Sequence, residues 1–66
     1  MSIGTNIKRI RESRGMQQTD LSDRVNVSQT MICLIERERK TPSVALLADI
    51  AEALGCTMDD IVNGDA

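Results

Sequence analysis

The chain has 66 residues, enough for one domain with a single small core and near the lower size limit for stability without a disulfide or metal. With no His and only two Cys, it lacks the ligand set of a zinc site, and no apolar run approaches the roughly 20 residues that cross a bilayer. It also has no Phe, Tyr or Trp, so it lacks the aromatic platforms on which single-stranded nucleic acids stack. We therefore expect a soluble cytoplasmic protein without cofactor or metal, with its thiols reduced, and duplex is favoured if nucleic acid is the partner.

Charge is distributed unevenly along the chain. The formal net charge of −2 by itself argues against a polyanionic partner. All eight basic residues, however, lie in residues 1–40, where five acids leave a net +3, whereas residues 41–66 hold five acids and no base. Such a molecule can present a basic face to phosphate while its acidic end points away.

The first predicted helix covers residues 4–14. Thr5 or Asn6 could cap its start. Apolar residues recur on one side at helical spacing: Ile3, Ile7 and Ile10. Gly15 suits a left-handed C-terminal stop, with Met16 as the apolar residue just beyond it.

Two short helices joined by a tight turn follow. The second helix, residues 18–25, has Leu21 and Val25 on one face and an acid in its first turn, where the helix dipole favours negative charge. Asn26 stands where the chain must reverse, and Asn accepts a positive φ better than other non-glycine residues. Ser28 is a good N-cap for a third helix that ends near Glu36, with Ile32 and Ile35 facing inward.

The last part of the chain predicts a loop and two further helices. Residues 37–42 are basic, lack apolar periodicity and contain the only Pro, so they read as a loop. Ser43 caps a fourth helix over 44–54 that ends at Gly55, and its expected buried side consists of Val44, Leu47, Ile50, Ala51 and Leu54. Thr57 caps a fifth helix over 58–62, which stops at Asn63-Gly64. Five short helices without a strand signal predict one compact all-α five-helix bundle over residues 1–66.

The order and spacing of these signals resemble the helix-turn-helix domain of phage repressors and Cro proteins, the XRE family, over almost the whole chain. The matching residues are Ile7-x-x-Ile10-Arg11, Gly15-Met16-x-Gln18-x-x-Leu21, Val27-Ser28-Gln29, Ile32-x-x-Ile35-Glu36, Pro42-Ser43 and Ile50-Ala51-x-Ala53-Leu54-Gly55. The resemblance implies a lambda-repressor-like fold with the helix-turn-helix at helices two and three, in which the third helix lies in the major groove of DNA.

The resemblance also implies roles for individual residues. The base-reading positions fall on Gln29, Thr30 and Leu34; Gln29 has the chemistry to contact adenine, and Thr30 can bond a base or touch a thymine methyl. Gln18, at the start of the second helix, matches a phosphate-binding position, as does Ser28. Arg11 and Glu36 match an ion pair that would set the angle of the reading helix.

The basic loop gives two readings. Arg37, Arg39 and Lys40 are solvated by default, yet they follow the reading helix and could bind the phosphates that flank it. Three residues depart from the family pattern. Leu34 can make only an apolar base contact, while Asn26 and Glu38 each replace a frequent Gly. We expect Glu38 to strain the loop and to add negative charge near the phosphates.

The sequence as a whole, with this resemblance, predicts a sequence-specific regulator of transcription, by default a repressor, that binds a double-stranded DNA operator as a homodimer, with no membrane partner and no evident small-molecule ligand. The dimer surface is expected in an apolar patch of Leu46, Met58, Ile61 and Val62. A protein-interaction module of the same fold, such as an antitoxin or anti-repressor, is the alternative. An enzyme is disfavoured by the lack of His, of a Gly-rich phosphate loop and of room for a pocket. A redox role for Cys33 stays open, although nothing in the sequence indicates an activated thiol.

Overall fold

A computed structural model describes residues 2–65, which form five α-helices and no strand. The predicted domain bounds, 1–66, include Met1 and Ala66, which lie outside the described residues. No helix in the described part of the chain has the length and apolar character required to span a membrane. The helices are α1 (Ile3–Ser13), α2 (Gln18–Val25), α3 (Gln29–Glu36), α4 (Val44–Leu54) and α5 (Met58–Asn63).

The predicted N-caps of α3, α4 and α5 are confirmed. In each case a hydroxyl accepts from a backbone N–H in the first turn that has no partner within the helix: Ser28 Oγ from Met31, Ser43 Oγ from Leu46, and Thr57 Oγ1 from Asp60. These caps fix the residue at which each helix begins.

The predicted stops are confirmed as well. Asn26 takes a left-handed conformation with φ 58°, which reverses the chain between α2 and α3. The chain turns after α1 with Gly15 at φ 70°, and Met16 then donates its N–H to the carbonyl of Arg11. Residues that accept a positive φ therefore determine where the chain turns between these helices.

The predicted start of α1 at residue 4 differs from the structure by one residue, but the predicted cap at Thr5 or Asn6 is wrong by about one turn. The helix begins at Ile3, preceded by Ser2 in extended conformation, and neither Thr5 nor Asn6 serves as its cap. Both residues lie inside the helix and have other partners: Asn6 is buried, and Thr5 bonds to Glu38. These side chains therefore bond to residues far along the chain instead of capping the helix.

Aliphatic side chains from all five helices build the core. Those with less than 2% exposure are Ile7, Ile10, Leu21, Ile32, Ile35, Ile50 and Ile61. Two predictions about apolar residues are wrong. Val44 was expected on the buried side of α4 but is 75% exposed, because it opens the helix beyond the edge of the core. Ile61 was expected in a dimer surface but is fully buried in the monomer.

Polar side chains of α1 and of Arg14, the residue that follows it, bond the C-terminal ends of the last two helices. The buried Asn6 amide donates to the carbonyl of Ile61 at 2.7 Å. Arg9 donates to the carbonyl of Gly64 at 2.8 Å, and Arg14 to that of Leu54 at 3.1 Å. Since the last carbonyls of a helix lack partners within it, α1 satisfies groups that would otherwise need solvent. Helix α1 thus ties the first half of the chain to the second.

Candidate nucleic-acid interface

Helix α3 has one buried and one exposed face. Ile32 and Ile35 lie in the core, whereas Gln29, Thr30 and Leu34 are exposed. The three predicted base-reading residues therefore share the outer face of one helix, with Gln29 and Thr30 in its first turn. An exposed helix start of this kind can enter a major groove, because the groove admits one α-helix.

A buried ion pair joins α1 to the end of α3. Arg11 Nε donates to Glu36 Oε2 at 2.7 Å and Arg11 Nη2 to Glu36 Oε1 at 3.0 Å, with the side chains 8% and 2% exposed. Arg11 Nη1 also donates to the carbonyl of Met16 at 2.7 Å. The hydrogen bond to Glu36 raises the pKa of Arg11 above its ordinary value. The bidentate geometry fixes both distance and orientation between the two helices.

The carboxylate of Glu36 extends this network to the exposed face. Gln18 Nε2 donates to Glu36 Oε1 at 3.0 Å. A carboxylate can only accept, so the amide nitrogen of Gln18 must face it and the amide oxygen faces outward. Gln29 Nε2 lies 3.5 Å from that oxygen, at the outer limit of a hydrogen bond. Gln18 thus lies between the buried ion pair and Gln29.

A surface groove of about 360 Å³ runs along the outer face of α3. It is lined by Gln18, Gln29, Thr30, Cys33, Leu34 and Arg37. The groove brings the three predicted base-reading residues together with Gln18 and Arg37, two of the predicted phosphate-binding residues. Ser28, Arg39 and Lys40 are exposed outside it. Ser28 uses its hydroxyl as the cap of α3, which leaves the phosphate prediction for this residue untested.

The two cysteines are free thiols. Cys33 borders the groove, and Cys56 packs against the core. Burial, together with the neighbouring charge of Asp60, raises the pKa of the Cys56 thiol. Cys56 therefore fits the role of a small core residue.

The basic loop after α3 keeps Arg37, Arg39 and Lys40 exposed. Glu38, between them, has φ 63°, so the expected backbone strain at this position is confirmed. Its carboxylate accepts hydrogen bonds from Thr5, a contact that sequence reasoning missed. The sequence offers only one signal for this contact. Glu38 stands where Gly is frequent, and a polar residue, Thr5, lies near the start of the chain.

The model of the helix-turn-helix family matches residues 7–61. The chain belongs to this helix-turn-helix family. The immunity repressor protein of Bacillus phage phi105 is 39% identical over 62 residues, which is 94% of this chain and 43% of the repressor. The chain thus spans less than half the length of that relative.

Solved structures of a phage repressor share the fold. The solution structure of the DNA-binding domain of the P22 c2 repressor superposes with a TM-score of 0.94 at 29% identity, covering 98% of this chain and 86% of that one. The P22 c2 repressor in complex with a synthetic operator gives a TM-score of 0.89 at 29% identity, with 98% of both chains covered. The five-helix arrangement is therefore that of a repressor DNA-binding domain.

Proposed function

We propose that the protein is a sequence-specific double-stranded DNA-binding regulator of transcription, acting in the cytoplasm, where it represses a promoter that overlaps its operator. The observation that carries this proposal is the polar network that ends at Gln29. Gln18 Oε1 lies 3.5 Å from Gln29 Nε2, an arrangement that leaves the Gln29 amide oxygen and one N–H available for the bidentate contact that adenine offers in the major groove. The likeness to a repressor solved with an operator supports the same use of α3.

In this proposal the exposed face of α3 reads bases, and the residues around it bind phosphate. Thr30 and Leu34 lie next to Gln29 on that face, and Leu34 offers only an apolar surface suited to a thymine methyl. The start of α2 at Gln18 and the basic side chains Arg37, Arg39 and Lys40 contact the backbone on either side. Arg11 and Glu36 set the angle at which α3 enters the groove.

A homodimer on a two-fold symmetric operator completes the proposal. Two copies place their α3 helices in successive major grooves about 34 Å apart. We place this contact at the remaining apolar residues of the predicted dimer surface, without Ile61. Met58 and Val62 are 38% and 46% exposed, and Leu46 is half-buried.

The test is a fluorescence-anisotropy titration of the purified protein with the duplex upstream of its own gene and with a random duplex, each at two salt concentrations. We expect tighter binding to the upstream duplex. Gln29→Ala should cost about 1–3 kcal/mol on that duplex and relax the preference at one base pair, because it removes a base contact. Arg39→Gln should weaken both duplexes alike and reduce the salt slope by about 1. Equal loss on both duplexes with Gln29→Ala would contradict the assignment of base reading.

The acidic second half of the chain favours one alternative, a protein-interaction module of the same fold. Five acids and no base in residues 41–66 suit a basic protein surface. Failure of the protein to bind either duplex at low salt, together with tight binding to a defined protein partner, would support this alternative over the regulator.

A further inference from the structure

The start of α1 lies directly against the end of α3. A Cβ built on Gly4 would overlap the backbone carbonyl oxygen of Ile35, so only glycine fits at this position. The same hypothetical Cβ would lie 3.0 Å from Glu38 Oε2. This close approach brings the first turn of α1 within reach of the loop that follows α3.

Glu38 uses that approach to bond α1. Its Oε2 accepts the backbone N–H of Thr5 at 2.7 Å and the Thr5 hydroxyl at 3.0 Å. The Thr5 amide belongs to the first turn, where N–H groups have no partner within the helix and the helix dipole favours a negative charge. The carboxylate therefore supplies both the missing acceptor and the favourable negative charge at the start of α1. Glu38 itself adopts a left-handed conformation, which is unfavourable for a residue with a side chain.

We propose that Glu38 is a positioning residue for DNA binding, and that its contact with Thr5 holds the basic loop in the conformation that meets phosphate. This inference rests on the proposed function. Arg37 and Arg39 flank Glu38 directly, and the loop backbone is also held by the bond from the Arg39 N–H to the carbonyl of Leu34 at 2.9 Å. A loop ordered before DNA arrives does not lose conformational freedom on binding, which favours affinity.

Simple electrostatics predicts the opposite effect of Glu38 on DNA affinity. A carboxylate beside phosphates repels them, so its removal should strengthen binding to any duplex. Replacement by glycine should help further, because glycine accepts the positive φ of residue 38 without cost. If the Glu38–Thr5 contact positions the loop, however, Glu38→Gly should weaken binding in spite of both gains.

The first experiment compares Glu38→Gly, Glu38→Gln and the control Glu52→Gln by anisotropy titration with the upstream duplex. Glu52 is exposed on α4, and its substitution removes the same charge away from the loop. We expect Glu38→Gly to bind about tenfold more weakly, because a loss of this size corresponds to the cost of ordering one or two mobile side chains on binding. Glu38→Gln, whose amide oxygen still accepts from Thr5, should lose less, and Glu52→Gln should bind like the wild type or slightly better. Binding by Glu38→Gly as tight as that of the wild type would overturn the proposal.

The second experiment needs no DNA and keeps the two proposals separable. In amide NMR spectra, the Thr5 resonance should lie downfield and exchange slowly in the wild type, and it should lose both properties in Glu38→Gly. The heteronuclear NOE of residues 37–40 should fall in the same variant, which reports nanosecond mobility of the loop. Wild-type protein that shows these signatures but binds no duplex would refute the proposed function, and with it the role in DNA binding, while the ordering of the loop by Glu38 would stand. Unchanged Thr5 and loop signals in Glu38→Gly would refute the positioning role alone.

Discussion

Glu36 is the residue on which most of the candidate interface depends. It accepts two bonds from Arg11 and one from Gln18, and Gln18 in turn lies against Gln29. Within residues 2–65 every buried side-chain nitrogen and oxygen has a hydrogen-bond partner. A network that is fully satisfied stabilises one arrangement, while a network with one member removed leaves a buried charge without a partner.

Glu36→Ala should therefore destabilise the fold strongly, by about 3–5 kcal/mol, since Arg11 stays buried with only the carbonyl of Met16 to bond. Urea unfolding measures this loss. The double variant Arg11→Met with Glu36→Met should regain most of the stability, because apolar side chains of similar volume replace a buried pair well. It should still bind the upstream duplex poorly, because Gln18 no longer has an acceptor. Full DNA affinity in the stable double variant would show that the ion pair does not orient α3.

At the scale of the helix, α3 and α4 both begin with a serine N-cap. Ser28 and Ser43 each accept one backbone N–H at 3.1 Å. Only α3 carries the candidate reading face. The two caps thus form a natural pair in which stability and DNA binding can be measured separately.

Ser28→Ala and Ser43→Ala should each cost about 1 kcal/mol of stability, because each leaves one first-turn N–H without its acceptor. Thermal unfolding of both variants checks this. Ser28→Ala should in addition weaken DNA binding, since the first turn of α3 holds Gln29 and Thr30. A matching loss of affinity in Ser43→Ala would mean that general destabilisation, rather than the position of α3, controls binding.

The elements and the caps of α3, α4 and α5 were predictable from the sequence because local residues decide them, whereas the cap of α1 was not. Ser28, Asn26 and Gly55 determine a start, a turn and a stop within a few residues, and the structure has them where expected. Val44 and Ile61 were assigned wrongly because burial depends on partners far along the chain. A helix of six residues such as α5 has too little periodicity to show which of Met58, Ile61 and Val62 faces the core.

The candidate site was predictable to a similar extent. The family pattern pointed to Arg11 with Glu36, and the structure contains that ion pair. The pattern could not show that Glu38 bonds Thr5, because the two residues are separated by 33 positions and Glu38 stands where a Gly is frequent. The pairing depends on the close approach at Gly4, which only the packed helices reveal.

At the scale of the whole molecule, the proposed homodimer depends on apolar side chains that remain exposed in the monomer. Met58 and Val62 are exposed on α5, while Val44 is exposed at the start of α4. All three are apolar side chains in contact with water, and only the first two belong to the proposed dimer surface. They therefore allow a matched comparison.

Val62→Glu should weaken self-association at least tenfold without unfolding the monomer, because a charge would be placed in the apolar dimer contact. Sedimentation equilibrium at several protein concentrations measures this change. Val44→Glu introduces the same charge at a more exposed site and should leave the association constant unaltered. If both variants associate like the wild type, the dimer uses another surface.

The bonds from α1 to the end of α5 also bear on the order in which contacts can form during synthesis. Asn6 is made early, but its acceptor on Ile61 follows 55 residues later, and the same separation divides Arg9 from Gly64. Contacts between residues so far apart form only once the intervening chain is available. A nascent chain that ends before α5 lacks the carbonyls of Ile61 and Gly64, so the contacts of Asn6 and Arg9 with these acceptors form last.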